Sequence, residues 1–155
     1  QLLGAVDAAN RTAIDAATFK SWQEEGVIEY LGTADDVRPH IAAAHCVVLP
    51  SYREGARRTL IEAAAMARPL IATDVPGCRL VVDHEETGYL CKVRDGNDLA
   101  KSMDTFLALP QSDRARMGLA GRAKMAAHFD QAIVVEAYRN ALASRPSPFK
   151  QRVTQ

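Results

Sequence analysis

The fold is decided by residues 46–77, which read CVVLPSYREGARRTLIEAAAMARPLIATDVPG. This stretch begins with an apolar run at Cys46–Leu49 and ends shortly after another at Leu70–Ala72, and neither run alternates with polar residues. Strands buried on both faces have this pattern, which is typical of a parallel sheet covered by helices. Between the runs, the alanine-rich segment Arg58–Ala67 predicts a helix that Pro69 ends. The stretch therefore predicts a strand–helix–strand unit.

The same alternation continues on both sides of this unit. Further strands are predicted at Gln1–Ala5, Val27–Leu31 and Gly88–Lys92. Further helices are predicted at Ala13–Glu25, Asp36–Ala44, Asn97–Ala108, Ser112–Ala127 and Gln131–Ala143, with Asp98, Ser112 and Asp130 as caps or first-turn residues. Strands that alternate with helices predict an α/β fold with a Rossmann-like, doubly wound parallel sheet, followed here by C-terminal helices. Such sheets bind ligands at the carboxyl ends of their strands.

Residues 1–143 are expected to form one domain, and residues 144–155, which contain Pro146 and Pro148, a C-terminal tail. The first residues resemble the end of a buried strand that enters a loop. We therefore expect a partial domain whose first elements lie upstream.

Composition excludes several classes of protein. The 155 residues contain 19 basic and 19 acidic side chains, which argues against a nucleic-acid partner held by bulk charge. The cysteines, Cys46, Cys78 and Cys91, have no metal-ligand spacing and fit a reducing compartment. No apolar run approaches the roughly 20 residues that a transmembrane helix needs, and no signal peptide is recognisable.

The loop that follows Leu49 is a candidate phosphate site. It leads into a helix near Arg57 or Arg58, and the first amides of a helix are unsatisfied donors at the positive end of its dipole. Cations at Arg57 and Arg58 oppose that dipole, and an anionic ligand would remove the conflict. The alternative is a solvated surface in which Arg58 pairs with Glu62, four residues later.

Two carboxylates flank this helix start. Glu54 precedes the helix and Glu62 lies about one turn inside it. Carboxylates accept hydrogen bonds from hydroxyl groups, so the pair suits a sugar and a ribose. The alternative is that both are ordinary solvated glutamates.

The stretch resembles the retaining glycosyltransferases of the GT-B fold, family 4. Their signature is two glutamates separated by seven residues at a strand–loop–helix junction, here Glu54–Glu62 with the sequence EGARRTLIE. The segments Ala63–Cys78, Gly88–Asp95 and Glu29–Gly32 also resemble the family. The resemblance covers residues 1 to about 143 and implies the donor-binding, C-terminal domain of such an enzyme.

The resemblance implies a role for each residue around the sugar. Glu54 would contact the hydroxyl groups of the donor sugar and act as the catalytic residue that stabilises charge at the reacting carbon. The backbone at Gly55 and Ala56 would lie against the sugar. Family members usually carry a larger apolar residue and often Pro or Gly where this chain has Ala56 and Arg57, so this departure bears on sugar specificity and not on the ribose and phosphate contacts.

The resemblance also implies how the nucleotide is held. The amides of Arg58 and Thr59 would bind the distal phosphate, Glu62 the ribose hydroxyls, and the loop at Gly32 would lie near the base. The GT-B fold needs no metal and no cofactor other than the donor substrate, because a helix dipole and basic groups stabilise the leaving diphosphate.

The sequences of these motifs most resemble those of bacterial enzymes of capsule, exopolysaccharide or lipopolysaccharide synthesis. These enzymes imply a UDP-hexose or UDP-N-acetylhexosamine donor and a glycan or lipid-linked acceptor. We expect a cytoplasmic protein that reaches the inner face of the plasma membrane through the complete chain. The N-terminal acceptor domain of such enzymes is missing, as are the Arg and Lys that hold the pyrophosphate, so these 155 residues alone are expected to be inactive.

There are two alternatives to a catalytic fragment: a non-catalytic binding module and a different GT-B enzyme. The chain is either a catalytic fragment or a non-catalytic nucleotide-sugar-binding module, such as a gene remnant. A different GT-B enzyme, such as a sugar-nucleotide epimerase, is disfavoured by the Glu54–Glu62 motif.

Overall fold

The structure is a computed structural model that describes residues 1–5, 14–52 and 58–143. Contacts between residues divide the chain into two compact units, Gln1–His40 and Ile41–Gln155.

In the first unit, the described residues form one helix that lies wholly within it and one pair of bridged segments. Helix α1 is Ala16–Glu24, and Asp15 caps it by accepting a hydrogen bond from the Thr18 amide at 2.9 Å. The predicted strands Gln1–Ala5 and Val27–Leu31 are wrong as full strands, because the described residues form only one isolated parallel bridge, Leu2 with Tyr30. Gly4, at φ 141°, leaves the extended conformation two residues after the bridge, which ends the ladder.

Helix α2, Arg38–Ala43, runs across the boundary between the units. The backbone amide of Arg38 donates to Asp36 Oδ1 at 3.0 Å. The aspartate at which the predicted helix begins therefore bonds to the first turn. The helix begins two residues later than predicted, because Asp36 precedes it and accepts a hydrogen bond from its first amide.

The second unit contains a parallel sheet in the order β1-β2-β3. The strands are β1 Val47–Leu49, β2 Leu70–Thr73 and β3 Gly88–Cys91. Val47 pairs with Leu70, and Leu70 with Gly88. All four residues of β2 are buried. Because successive side chains of a strand point to opposite faces, both faces of β2 are covered, as the unbroken apolar run predicts.

The described residues of this unit also form five helices that lie wholly within it, two of them between strands. They are α3 Arg58–Ala65, α4 Pro76–Arg79, α5 Gly96–Ala108, α6 Gln111–His128 and α7 Gln131–Ala143. The short helix α4 was not predicted, although Pro76 at its first position is a favourable start. Asp95 caps α5 by accepting from the Asp98 amide, and Asp98 lies in the first turn, as predicted. Asp130 accepts from the Ala132 amide at 2.8 Å, as expected of a cap.

The core of this unit lies between the sheet and its helices. Ile71 and Tyr89, which are register partners on β2 and β3, pack with Phe106 of α5 and Met117 of α6. Helix α3 buries Leu60, Ala63 and Ala64. The apolar side chains of the quoted stretch thus hold α3 against the sheet, which fixes the position of its first turn.

Helix α3 ends in a tight turn that packs on α6. The Ala67 amide donates to Ala64 at 2.9 Å and the Arg68 amide to Ala63 at 2.9 Å, the bond pattern of a Schellman motif. Ala67 takes the left-handed conformation, φ 55°, that glycine usually provides there. A Cβ added to Gly118 of α6 would lie 2.1 Å from the Ala67 carbonyl oxygen. The two backbones therefore touch at this point.

Helices α1 and α7 have no buried residue, and α7 differs from α1 in that every one of its residues is exposed. It exposes large apolar side chains, among them Val134, Tyr138 and Leu142. Within the described part of the chain, no helix is both long enough and apolar enough to cross a membrane.

Candidate functional site

The carboxyl ends of the three strands meet at one edge of the sheet. The hydroxyl of Thr73, the last residue of β2, donates to the Ser51 carbonyl just after β1. The Asp74 amide donates to the Cys91 carbonyl of β3 at 2.7 Å. These bonds tie the segments after the strands together, and the fold class predicts a ligand at this edge.

Helix α3 presents its first turn to solvent beside this edge. Arg58 and Thr59 are exposed, and Glu62 is partly buried. Arg58 Nε donates to Glu62 Oε1 at 2.7 Å. The structure thus brings together three of the predicted site residues. It also contains the Arg58–Glu62 pair that the alternative, solvated interpretation predicts.

The geometry of the pair makes it easy to replace. The Arg58 side chain is 90% exposed and that of Glu62 is 30% exposed. Exposed pairs four residues apart on a helix contribute only about 0.3–0.5 kcal/mol. A ligand can therefore take over Glu62 at small cost. The first amides of α3 are left without partners inside the helix, so this turn can also accept an anion.

Of the four other predicted site residues, three lie outside the described residues and one lies in the first unit. Glu54, Gly55 and Ala56 lie outside the described residues. Gly32 belongs to the first unit, where its φ is 73° and its carbonyl accepts from the Gly4 amide at 2.8 Å.

The structure adds residues at the sheet edge that the sequence reasoning missed. The guanidinium of Arg94, which follows β3, lies 5.1 Å from the ring centroid of Tyr52, which follows β1. Tyr52 is itself 60% exposed, so it is a candidate stacking surface. Both residues follow predicted strands within a few positions, and the shared edge of a parallel sheet was the signal that could have joined them.

Asp74, just after β2, is held by an arginine. Arg79 Nε donates to Asp74 Oδ1 at 2.5 Å, and this hydrogen bond lowers the pKa of the Asp74 carboxyl. The ionised carboxylate is therefore a fixed partner of Arg79 rather than a general base.

A depression of about 350 Å³ lies along β3 and α5 and does not include the α3 residues. Its lining mixes acidic and basic side chains, among them Asp74, His84 and Lys101. His84 Nδ1 already accepts from the Leu90 amide at 3.0 Å. The depression therefore lacks the concentrated positive charge that a diphosphate requires.

The thiols near the sheet are poor nucleophiles. Burial raises the pKa of Cys46 to about 12, and burial also raises the pKa of Cys91. Both thiols stay protonated at neutral pH. In the ranges 1–5, 14–52 and 58–143, no three His, Cys, Asp or Glu side chains are grouped as metal ligands.

Known proteins resemble this chain in sequence and in fold. A curated relative from Campylobacter jejuni, an N,N'-diacetylbacillosaminyl-diphospho-undecaprenol alpha-1,3-N-acetylgalactosaminyltransferase, is 27% identical over 73% of this chain and 30% of its own length. The lipopolysaccharide core biosynthesis glycosyltransferase LpsE of Rhizobium meliloti is 26% identical over 78% of this chain and 35% of its own. The chain thus spans about a third of the length of these relatives.

A solved structure has the same fold. Anabaena Alr3699/HepE, in complex with UDP, superposes with a TM-score of 0.74 at 22% identity, over 83% of this chain and 36% of that one. The family model described as glycosyl transferases group 1 matches residues 4–108. The parallel sheet, the α3 junction and this match together establish that the chain belongs to the group 1 glycosyltransferase family.

Proposed function

We propose that the chain is the donor-binding part of a retaining glycosyltransferase, which transfers a sugar from a UDP-hexose or UDP-N-acetylhexosamine to a glycan or lipid-linked acceptor. The observation that carries the proposal is the start of α3, where the exposed Arg58 and Thr59 and the partly buried Glu62 lie beside the carboxyl edge of a parallel sheet. A helix N-terminus at that edge supplies unsatisfied amides for a diphosphate.

The nucleotide half of the proposal assigns Glu62 to the ribose. Its carboxylate accepts two hydroxyl hydrogens, and losing the exposed bond to Arg58 costs little. The amides of Arg58 and Thr59 would hold the distal phosphate. Gly32 is assigned to the base by family resemblance.

The sugar half of the proposal rests on resemblance, since Glu54, Gly55 and Ala56 lie outside the described residues. Glu54 would hold the sugar hydroxyls and stabilise charge that develops at the reacting carbon. The diphosphate would leave toward the α3 amides, so the proposed reaction uses helix dipole and basic groups rather than a metal ion.

The named relatives support the proposed donor and acceptor. The Campylobacter enzyme is named for N-acetylgalactosamine transfer to a diphospho-undecaprenol saccharide, and HepE is described in complex with UDP. We extend a UDP donor, a lipid-linked or glycan acceptor and a cytoplasmic role in cell-surface polysaccharide synthesis to the protein that contains this chain.

The roles of the two glutamates are tested by titrating UDP into the chain. Glu62→Ala is expected to weaken UDP binding about tenfold, because a lost hydrogen bond to a charged group corresponds to roughly 1.5–3 kcal/mol. Glu54→Ala should change UDP binding little, since UDP carries no sugar. Calorimetry measures both affinities.

Glu136→Ala is the matched control, because Glu136 is an exposed helical glutamate on α7. UDP affinity that falls more for Glu54→Ala than for Glu62→Ala would contradict the assignment. Saturation-transfer NMR with UDP- and GDP-sugars on the complete enzyme then identifies the base and the sugar.

A further inference from the structure

A second candidate site lies at the opposite edge of the sheet, where the strands begin. His45 comes two residues before β1, and Arg68 two residues before β2. Together with Arg114 of α6 they line a cavity of about 280 Å³, which we call the basic cavity. Gln111 and three small apolar residues complete its lining.

The basic cavity contains two buried donors without partners. In the described part of the chain, the buried side-chain nitrogen and oxygen atoms that make no hydrogen bond are Arg68 Nε and Arg114 Nε. A guanidinium stays charged at any physiological pH. Burying such a donor without an acceptor is unfavourable, and each exception in a folded protein calls for an explanation. Both arginines line the same cavity, which therefore concentrates two guanidinium charges.

Backbone packing holds the two arginines in place. Arg68 lies in the Schellman turn, whose carbonyl at Ala67 touches Gly118 of α6. Arg114 lies four residues before Gly118 and therefore on the same face of α6. Its guanidinium stacks 5.7 Å from the centroid of the Phe106 ring. The stack occupies the face of the guanidinium and leaves its edge, where the N–H donors lie, to a ligand.

The electrostatics of the basic cavity favour an anion. Helix α6 begins at Gln111, and Pro110 provides no side-chain cap for its first amides. The described residues that line the cavity include no carboxylate. The nearby Asp113 accepts from Arg116 at 3.3 Å and is not part of the lining.

We propose that the basic cavity binds a phosphate group, separately from the donor site at the other edge of the sheet. The guanidinium groups offer parallel N–H donors that match the oxygens of a phosphate. The phosphate belongs either to a small soluble phosphate or to the headgroup of an anionic phospholipid. The proposal is independent of the proposed transferase activity.

The test uses the whole chain and two probes. Inorganic phosphate is titrated while ¹⁵N–¹H spectra are recorded, and flotation is measured with phosphatidylcholine vesicles with and without phosphatidylglycerol. Bound phosphate is expected to shift the amide signals of Ala67 and Arg68 and of residues 111–115. The dissociation constant of the chain for inorganic phosphate is expected to be on the order of 1 mM.

Arg114→Gln and Arg68→Gln are expected to weaken the bound probe at least tenfold. Arg116→Gln is the matched control, because it removes the same charge two residues away on α6 and should leave binding unchanged. Phosphate binding assigns the site to a soluble ligand. Flotation that requires both phosphatidylglycerol and Arg114 assigns it to a lipid headgroup.

Three results would overturn the proposal. In the first, the unmodified chain neither binds phosphate nor floats with vesicles, a result that does not depend on whether any variant folds. Another is equal loss in the Arg114 and Arg116 variants. The third is a set of shifted amides confined to the first turn of α3, with binding lost in Arg58→Gln but kept in Arg114→Gln.

Discussion

The two ends of helix α3 are built in different ways. At its first turn, Arg58 is 90% exposed and its contact with Glu62 is a single surface ion pair. At its other end, Ala67 takes φ 55° and its carbonyl lies against the backbone of Gly118. The exposed side of the first turn therefore makes only a side-chain contact in water, whereas the other end makes contact between two backbones.

This difference separates residues of α3 that bind a ligand from residues that stabilise the fold. A surface ion pair can be exchanged for a ligand at little cost, so residues of the first turn are expected to affect binding more than folding. A backbone contact in a packed interior cannot relax without moving a helix, so residues at the far end are expected to affect folding first. The next three predictions test this separation.

The largest effect is expected for Gly118→Ala. The added Cβ would lie 2.1 Å from the Ala67 carbonyl oxygen and 3.3 Å from Pro69 Cδ, so α6 must move away from the turn. We expect the free energy of unfolding to fall by about 3 kcal/mol, the upper part of the range for overpacking. Urea unfolding followed by circular dichroism measures this change.

Gly121→Ala is the control on the same helix. Its Cβ would meet Ala64 Cβ at 3.7 Å, an ordinary contact, and alanine has a better helix propensity by about 1 kcal/mol. This variant should be as stable as the unmodified chain or more so. Equal unfolding midpoints for Gly118→Ala and Gly121→Ala would remove the backbone contact as a distinguishing feature.

A smaller effect of opposite sign is expected for Ala67→Gly. The left-handed conformation costs a non-glycine residue about 1–2 kcal/mol, and the extra freedom of glycine in the unfolded chain offsets about 0.4–1 kcal/mol. The net expectation is a gain in stability of about 0.5–1 kcal/mol. A melting temperature below that of the unmodified chain would show that the methyl group of Ala67 contributes packing instead.

The smallest effect is expected for Arg58→Gln. Removing the guanidinium breaks the ion pair with Glu62, which is exposed and worth at most about 0.5 kcal/mol. The unfolding midpoint should shift little, and even less at high salt, where surface charges are screened. A loss comparable to that of Gly118→Ala would mean that both ends of α3 are structural.

The sequence predicted those elements whose burial left a clear pattern. The unbroken apolar run at Leu70–Thr73 became a strand buried on both faces, and Gln131–Ala143 was predicted with the bounds of α7. Of the two predicted N-terminal strands, the structure contains only one bridge among the described residues, between Leu2 and Tyr30. Pattern alone could not reveal this, because ladder length depends on the backbone angle at Gly4 as well as on apolar content.

The candidate site was predictable where it is local in sequence. Arg58, Thr59 and Glu62 fall within two turns of one helix, so spacing alone brings them together. The stacking of Arg94 on Tyr52 joins residues 42 positions apart, which only the strand order and register determine. The basic cavity was missed for the same reason, since His45, Arg68 and Arg114 meet only when the chain is folded.

Helix α7 bears on how the chain unfolds. Its thirteen residues bury no side chain, and isolated helices shorter than about 12–15 residues are marginal in water. The packing that stabilises β2 and α3 therefore does not extend to α7. In native-state deuterium exchange, the amides of α7 are expected to exchange through local opening, long before those of Leu70–Thr73, which require global unfolding.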